Sequence, residues 1–206
     1  GGIGGVNFVR ALKIFKDKFF IVGLDFNKYY LEFPDVDVRV NSPRHSDPNF
    51  IKLLHELIEK HKIDFLHPHP SSEALVVSQN LDFIKTKTLL PKPNIISTDK
   101  LKTQKILSDS GVNVAQTKTF ENLNSIQTSF EELGGGPLWI RAKSGAGGNL
   151  SLLCSEPKEV EYWMKLWILR GKANIDDFML QQFLPGRNIA WDSFWYEGKL
   201  ISSFTR

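Results

Sequence analysis

Two hydrophobic rhythms run along this chain, one after the other. In the first stretch, unbroken apolar runs of strand length alternate with segments whose apolar residues recur every three to four positions. Residues 6–12 have helical spacing, and Phe19-Phe20-Ile21-Val22-Gly23-Leu24-Asp25 is a continuous run that predicts a buried parallel strand. Phe50, Ile51, Leu53, Leu54, Leu57 and Ile58 lay an apolar stripe along a helix over 50–61, following Pro48. Ile63-Asp64-Phe65-Leu66 reads as a further strand and residues 72–84 as a further helix. Strand–helix alternation of this kind marks an open α/β sheet.

The rhythm changes after Leu89-Leu90-Pro91-Lys92-Pro93, where two closely spaced prolines predict a linker. Thr98-Asp99 caps a helix over 100–110 that stops at Gly111. A short strand at 117–120 and a helix at 125–133 follow. Beyond them come strands on either side of a glycine-rich loop (137–141 and 150–154) and a helix over 157–170 that places Trp163, Leu166 and Trp167 on one side. Three final strands, 178–184, 189–196 and 199–205, are joined by turns at Pro185-Gly186 and Glu197-Gly198, the pattern of antiparallel neighbours. The expected boundary lies between Pro91 and Asp99, giving a domain over 1–95 and a second over 96–206.

Composition narrows this picture little. At 206 residues and 41% hydrophobic content the chain has material for one large core or two small ones. No apolar run is long enough for a membrane span and no signal peptide is visible, so no membrane partner is expected. Cys154 is the single cysteine, which excludes an internal disulfide and fits a reducing, cytoplasmic setting; its apolar surroundings predict a buried structural thiol. A net charge of +3 suits an anionic ligand and is too small to argue for nucleic acid. The chain opens on Gly1-Gly2-Ile3-Gly4-Gly5 without a methionine and stops at Arg206 within a strand-like run, so a piece of a longer protein is expected.

Charge and glycine coincide at Pro137-Leu138-Trp139-Ile140-Arg141-Ala142-Lys143-Ser144-Gly145-Ala146-Gly147-Gly148-Asn149. Glycines let successive N–H groups converge, and those donors with Arg141 and Lys143 suit a polyphosphate; a hairpin with a flexible tip is the other reading. Gly1 to Gly5, opening a helix, could bind an anion, and Asp25, about 20 residues on, stands where a dinucleotide fold keeps its ribose-binding acid. The glycine spacing is not the full fingerprint, however, and acids at strand ends often only cap loops. His67-Pro68-His69-Pro70 invites a metal reading but lacks neighbouring ligands, so a rigid turn lining a crevice is expected. Lys100, Lys102 and Lys105 give their helix a basic side, by itself a solvated face.

Four segments taken in order resemble the ATP-grasp superfamily, most of all the ATP-binding halves of the carbamoyl-phosphate synthase large chain. They are Asp99-Lys100 with its helix ending at Gly111-Val112, Ile140-Arg141 with Gly147-Gly148, Leu180-Gln181-Gln182-Phe183-Leu184-Pro185-Gly186-Arg187, and Asp192 on the following strand. The resemblance covers nearly the whole chain. It implies a small Rossmann-like domain preceding an incomplete ATP-grasp domain, the latter α+β with an antiparallel sheet.

The resemblance also implies roles. Lys100 and Arg141 would reach nucleotide phosphates, beside Lys143, and Gly147 and Gly148 would close over them. Gln181, Gln182, Phe183 and Leu184 would hold adenine, and Asn188 falls near the residue for the ribose hydroxyls. Gln181 and Asn188 replace acids usual in the family, which loses charge-assisted hydrogen bonds. Lys143 stands where a small residue is common. The magnesium ligands of the family would lie beyond Arg206, so ATP with Mg2+ is the implied cofactor set, and this stretch alone is expected not to turn ATP over. The implied activity is ATP-dependent activation of a small-molecule carboxylate as an acyl-phosphate, attacked by an amine or similar nucleophile. A non-catalytic nucleotide-binding module is the alternative, and an NAD-dependent oxidoreductase built on Gly1–Gly5 and Asp25 a third.

Overall fold

Short apolar stretches bounded by polar turns set the first elements in place. A helix, α1 (Gly2–Leu12), precedes the strand β1 (Val22–Asp25), which lies parallel to β2 (Val38–Asn41) with Val22 opposite Val38 and Asp25 opposite Asn41. The computed structural model describes residues 2–15, 18–96, 99–145, 148 and 150–205. They fall into two compact units, Gly1–Lys105 with Ser144–Ala146, and Ile106–Lys143 with Gly147–Arg206.

In the first unit, α2 (Asn49–His61) turns Phe50, Leu54 and Ile58 inward at a spacing of one helical turn. They pack with Val77 of α3 (Ser71–Gln79) and Ile84 of α4 (Leu81–Ile84), both without exposed surface, and with Leu24 of β1. The helix expected over 72–84 divides in two at Asn80, whose side-chain amide donates to the Val76 carbonyl (2.8 Å) and competes with the helical ladder. The strand expected at 63–66 contracts to one parallel bridge, Phe65 with Lys87, where Leu66 N–H donates to the Lys87 carbonyl (2.9 Å). Pro68 and Pro70 carry no N–H, so the pairing has no donor to continue it.

A second correction concerns the glycines. Gly2, Gly4 and Gly5 lie inside α1, not in an anion-binding turn before it; Gly1 is outside the described residues. A Cβ on Gly4 would stand 1.8 Å from His69 Nε2, and Phe8, one turn along, stacks on His67 with ring centroids 4.1 Å apart. The missing side chain lets the helix lie close on the His-Pro-His-Pro segment.

The second unit is built on a four-stranded antiparallel sheet. Its strands are β3 (Thr117–Thr119), β4 (Leu138–Ala142), β5 (Leu152–Cys154) and β6 (Phe178–Gln182), in the order β3-β6-β4-β5. The α5 helix (Lys100–Asp109) leads into this unit, and Gly111, at φ 80°, ends the segment as expected. One face of the sheet presents Leu138, Ile140, Cys154, Phe178 and Leu180. Ile126 and Phe130 of α6 (Ile126–Glu132) and Val160 and Met164 of α7 (Pro157–Leu169) cover them. The α7 helix starts at Pro157 inside a reciprocal capping box between Glu156 and Glu159. Trp163 and Trp167 pack on the core, and Trp163 Nε1 donates to the Leu150 carbonyl (3.1 Å). The strands β7 (Trp191–Tyr196) and β8 (Lys199–Thr205) form a separate hairpin, turned by Glu197 and Gly198 at φ 48° and 76°. Among the described residues no helix is long and apolar enough to cross a membrane.

Burial pushes the Cys154 thiol up to about 11, helped by Glu159, so it is protonated at neutral pH. Alkylation by iodoacetamide at pH 8 is expected to be slow in the folded protein and fast in urea; equal rates would place the thiol at the surface. Glycine packing offers a second check. A Cβ on Gly136 would meet the Ser155 carbonyl at 2.6 Å and Phe130 Cζ at 2.8 Å, whereas Gly5 has open space and a helical backbone. Urea titration should show Gly136→Ala losing about 1–3 kcal/mol and Gly5→Ala gaining about 0.5–1 kcal/mol.

Candidate functional site

Antiparallel pairing sets directly opposed residues on the same face of a sheet. Leu138 and Ile140 of β4 face the helices, so Trp139 and Arg141 face the other way. The register puts Gln181 opposite both Trp139 and Thr117, and Met179 opposite Arg141 and Thr119. This second face is mixed: Met179 has no exposed surface and Gln181 only 9%, while Trp139 is half-exposed.

Three of these side chains form one hydrogen-bonded chain. Arg141 Nη1 donates to Gln181 Oε1 (3.1 Å), Gln181 Nε2 donates to Thr117 Oγ1 (3.3 Å), and the Thr117 hydroxyl donates to the Ala115 carbonyl (3.2 Å). Arg141 Nε is buried without a hydrogen-bond partner among the described residues. A buried polar atom left without an acceptor is costly, and a guanidinium is best satisfied by a carboxylate or phosphate. The donor set therefore fits an anion.

The glycine loop has its own anchor in the first unit. Asp99 caps α5, its Oδ1 accepting from Leu101 N (2.8 Å) and Lys102 N (3.2 Å); Thr98 lies outside the described residues. Asp99 also pairs across an antiparallel bridge with Ser144, and Lys100 Nζ donates to the Gly145 carbonyl (2.9 Å). The lysine is thus held at the start of the loop by a carbonyl. Gly145 and Gly148 have φ of 95° and 69°, values that favour glycine. Gly147 lies outside the described residues. Lys143 is half-buried, and its N–H donates to the Asp177 carbonyl (2.8 Å).

The 181–184 segment divides at the end of β6. Gln181 lies in a strand flanked on both sides, so its backbone belongs to the sheet, contrary to a strand edge left for a ligand. Gln182 N–H donates to the Gln116 carbonyl (2.9 Å). Phe183 and Leu184 lie past the ladder and are exposed, as is Asn188 in the loop before β7. Thr117, which completes the chain to Arg141, is unmarked by any motif; only the register of three strands brings it there.

Other candidates have structural tasks. Asp25 Oδ1 accepts from Asn27 N (2.8 Å), while Asn41 Nδ2 donates to the Asp25 and Phe26 carbonyls, so this acid organises the turn after β1. Burial, reinforced by Asp25, raises the Glu73 carboxyl, and burial next to His69 lowers His67. Among the described residues no group of three or more His, Cys, Asp or Glu side chains could hold a metal ion.

No protein-family model matches the chain, and no curated protein does. Solved structures do match in fold. An L-amino acid ligase from Bacillus licheniformis superposes with a TM-score of 0.69 at 14% identity, over 96% of this chain and 46% of that one. N5-carboxyaminoimidazole synthetase from Staphylococcus aureus, complexed with ADP, gives 0.67 at 17%, over 93% and 48%. The biotin carboxylase domain of 2-oxoglutarate carboxylase from Hydrogenobacter thermophilus, in complex with MgADP, ADP and bicarbonate, gives 0.62 at 14%, over 88% and 42%. The chain spans less than half the length of each.

The cap at Asp99 is testable by itself. Asp99→Ala should cost about 1 kcal/mol of stability in urea titration, and Asp99→Asn, which keeps an acceptor, should cost much less. Equal losses would show that the charge and not the acceptor matters.

Proposed function

The chain has the ATP-grasp fold, and from that premise we propose that it supplies the nucleotide-binding part of an ATP-dependent carboxylate ligase, similar to the carbamoyl-phosphate synthase large chain. Residues 1–95 serve as the small preceding domain and 96–206 as part of the ATP-grasp domain. The observation that carries the reading is Arg141, a cation fixed by a buried amide with its Nε lacking an acceptor. Such a group is prepared for an anion before the anion arrives.

Lys100, Arg141 and Lys143 take the phosphates, with the N–H groups around Gly147 and Gly148. Phe183 and Leu184 supply adenine with an apolar wall and backbone groups past the ladder, with Gln182 at its end. Asn188 offers an amide to the ribose hydroxyls. Magnesium comes as the counter-ion of the nucleotide substrate, and the part assigned to these residues is binding and orientation of that nucleotide. In the whole enzyme, a carboxylate oxygen attacks the γ-phosphorus, ADP departs, and an amine displaces phosphate from the acyl-phosphate. Fixed cations lower the repulsion between the anionic carboxylate and the polyphosphate.

A non-catalytic nucleotide-binding module is the second reading. Gln181 and Asn188, amides where the family usually has acids, favour it.

Titration of ATP, GTP and adenosine tests the assignment. ATP should bind more tightly than GTP, because backbone groups that match adenine N1 and N6 oppose guanine O6 and N1–H. Arg141→Ala should weaken ATP by about 1.5–3 kcal/mol and leave adenosine unchanged. Equal losses for both would make Arg141 structural, and equal affinity for ATP and GTP would remove the adenine assignment.

A further inference from the structure

Gln181 does more here than fill a place in the adenine segment. Its side chain is nine-tenths buried, and both ends of its amide are engaged on the polar face of the sheet. The hydrogen bonds all run one way. The Thr117 hydroxyl proton is committed to the Ala115 carbonyl, so its oxygen is free to accept from Gln181 Nε2. That bond turns Gln181 Oε1 toward the guanidinium of Arg141. A flipped amide would set N–H against N–H at Arg141 and lose both contacts.

The amide fixes the arginine without cancelling its charge. Among the described residues Arg141 has no carboxylate partner, and its Nε has no acceptor. A carboxylate at position 181 has the same size and could accept the same hydrogen bond. It would also form an ion pair with Arg141 and screen it from an incoming anion. An amide keeps the hydrogen bond to Thr117, which a carboxylate cannot donate, and leaves the arginine's charge to an incoming anion.

We propose that Gln181 is a positioning residue, locked by Thr117, that holds Arg141 as an uncompensated cation for the polyphosphate of a nucleotide. The inference rests on the nucleotide-binding reading of Arg141 and assigns the Gln181 side chain to phosphate and not to adenine. Its signature is that phosphate ligands weaken while adenosine does not when the amide becomes an acid.

Gln181→Glu and Thr117→Val separate these effects. ATP, inorganic tripolyphosphate and adenosine are titrated into the protein and each variant, and thermal unfolding is followed in parallel. Gln181→Glu should weaken ATP and tripolyphosphate about ten-fold and keep adenosine within about two-fold. Thr117→Val, which removes the acceptor while keeping the shape, should weaken the two phosphate ligands about three-fold and spare adenosine. Unchanged phosphate affinity in both variants would overturn the proposal, as would an equal loss of adenosine in Gln181→Glu, which would return Gln181 to the base. Should Gln181→Glu fail to fold, Thr117→Val decides by the same comparison. Absence of ATP and tripolyphosphate binding in the unaltered protein would instead bring down the nucleotide reading itself, and this inference with it.

Discussion

The pairing of β6 between β3 and β4 is the constraint on which the second unit depends. One register turns Phe178 and Leu180 toward α6 and α7 and turns Met179 and Gln181 the opposite way. A slip by one residue would exchange these sets, burying an amide among aromatic and aliphatic side chains and exposing a phenyl ring. The apolar face therefore enforces the polar one. Ile140, Phe178, Leu180, Val160 and Met164 have no exposed surface, and their burial holds the strands that carry Arg141 and Gln181. The hydrophobic core specifies the site without touching it.

A different device positions the glycine loop. Asp99 and Lys100 are adjacent, yet they act on different groups: the carboxylate satisfies N–H donors at the start of α5, and the ammonium takes the Gly145 carbonyl. One helix terminus is thereby capped and one loop end is tied to it. The cation is placed by the same helix whose first turn the acid completes.

Much of this was legible in the pattern of residues. The helix and strand positions from Lys100 onward follow from apolar spacing, capping residues and glycine stops, and the antiparallel end is visible in closely spaced strands with tight turns. The front of the chain was harder to read. The strand β2 carries only a brief two-residue alternation, Val38 and Val40, too short to stand out from the polar residues around it. The opening glycines suggested an anion turn because glycine permits both open turns and close packing, and only the position of His69 distinguishes them. Arg141 and Gln181 could be picked from the sequence, since each sits in a recognisable segment. Their contact could not, because it depends on the offset between strands, and Thr117 has no mark of its own. The three apolar residues within 63–66 were a fair strand signal, overridden by the prolines that follow.

The directional chain from Arg141 to Ala115 has a consequence for how this protein tolerates change. Its three side chains come from strands far apart in sequence, so no local window of residues reveals that they belong together. A substitution at one site takes its meaning from the other two, and the effects will not add. Replacing the threonine alone unlocks an amide; replacing it after the glutamine has gone alters little. Divergent descendants would therefore exchange these positions as a set or in a fixed order, and a route through the wrong intermediate would be closed even though both endpoints fold.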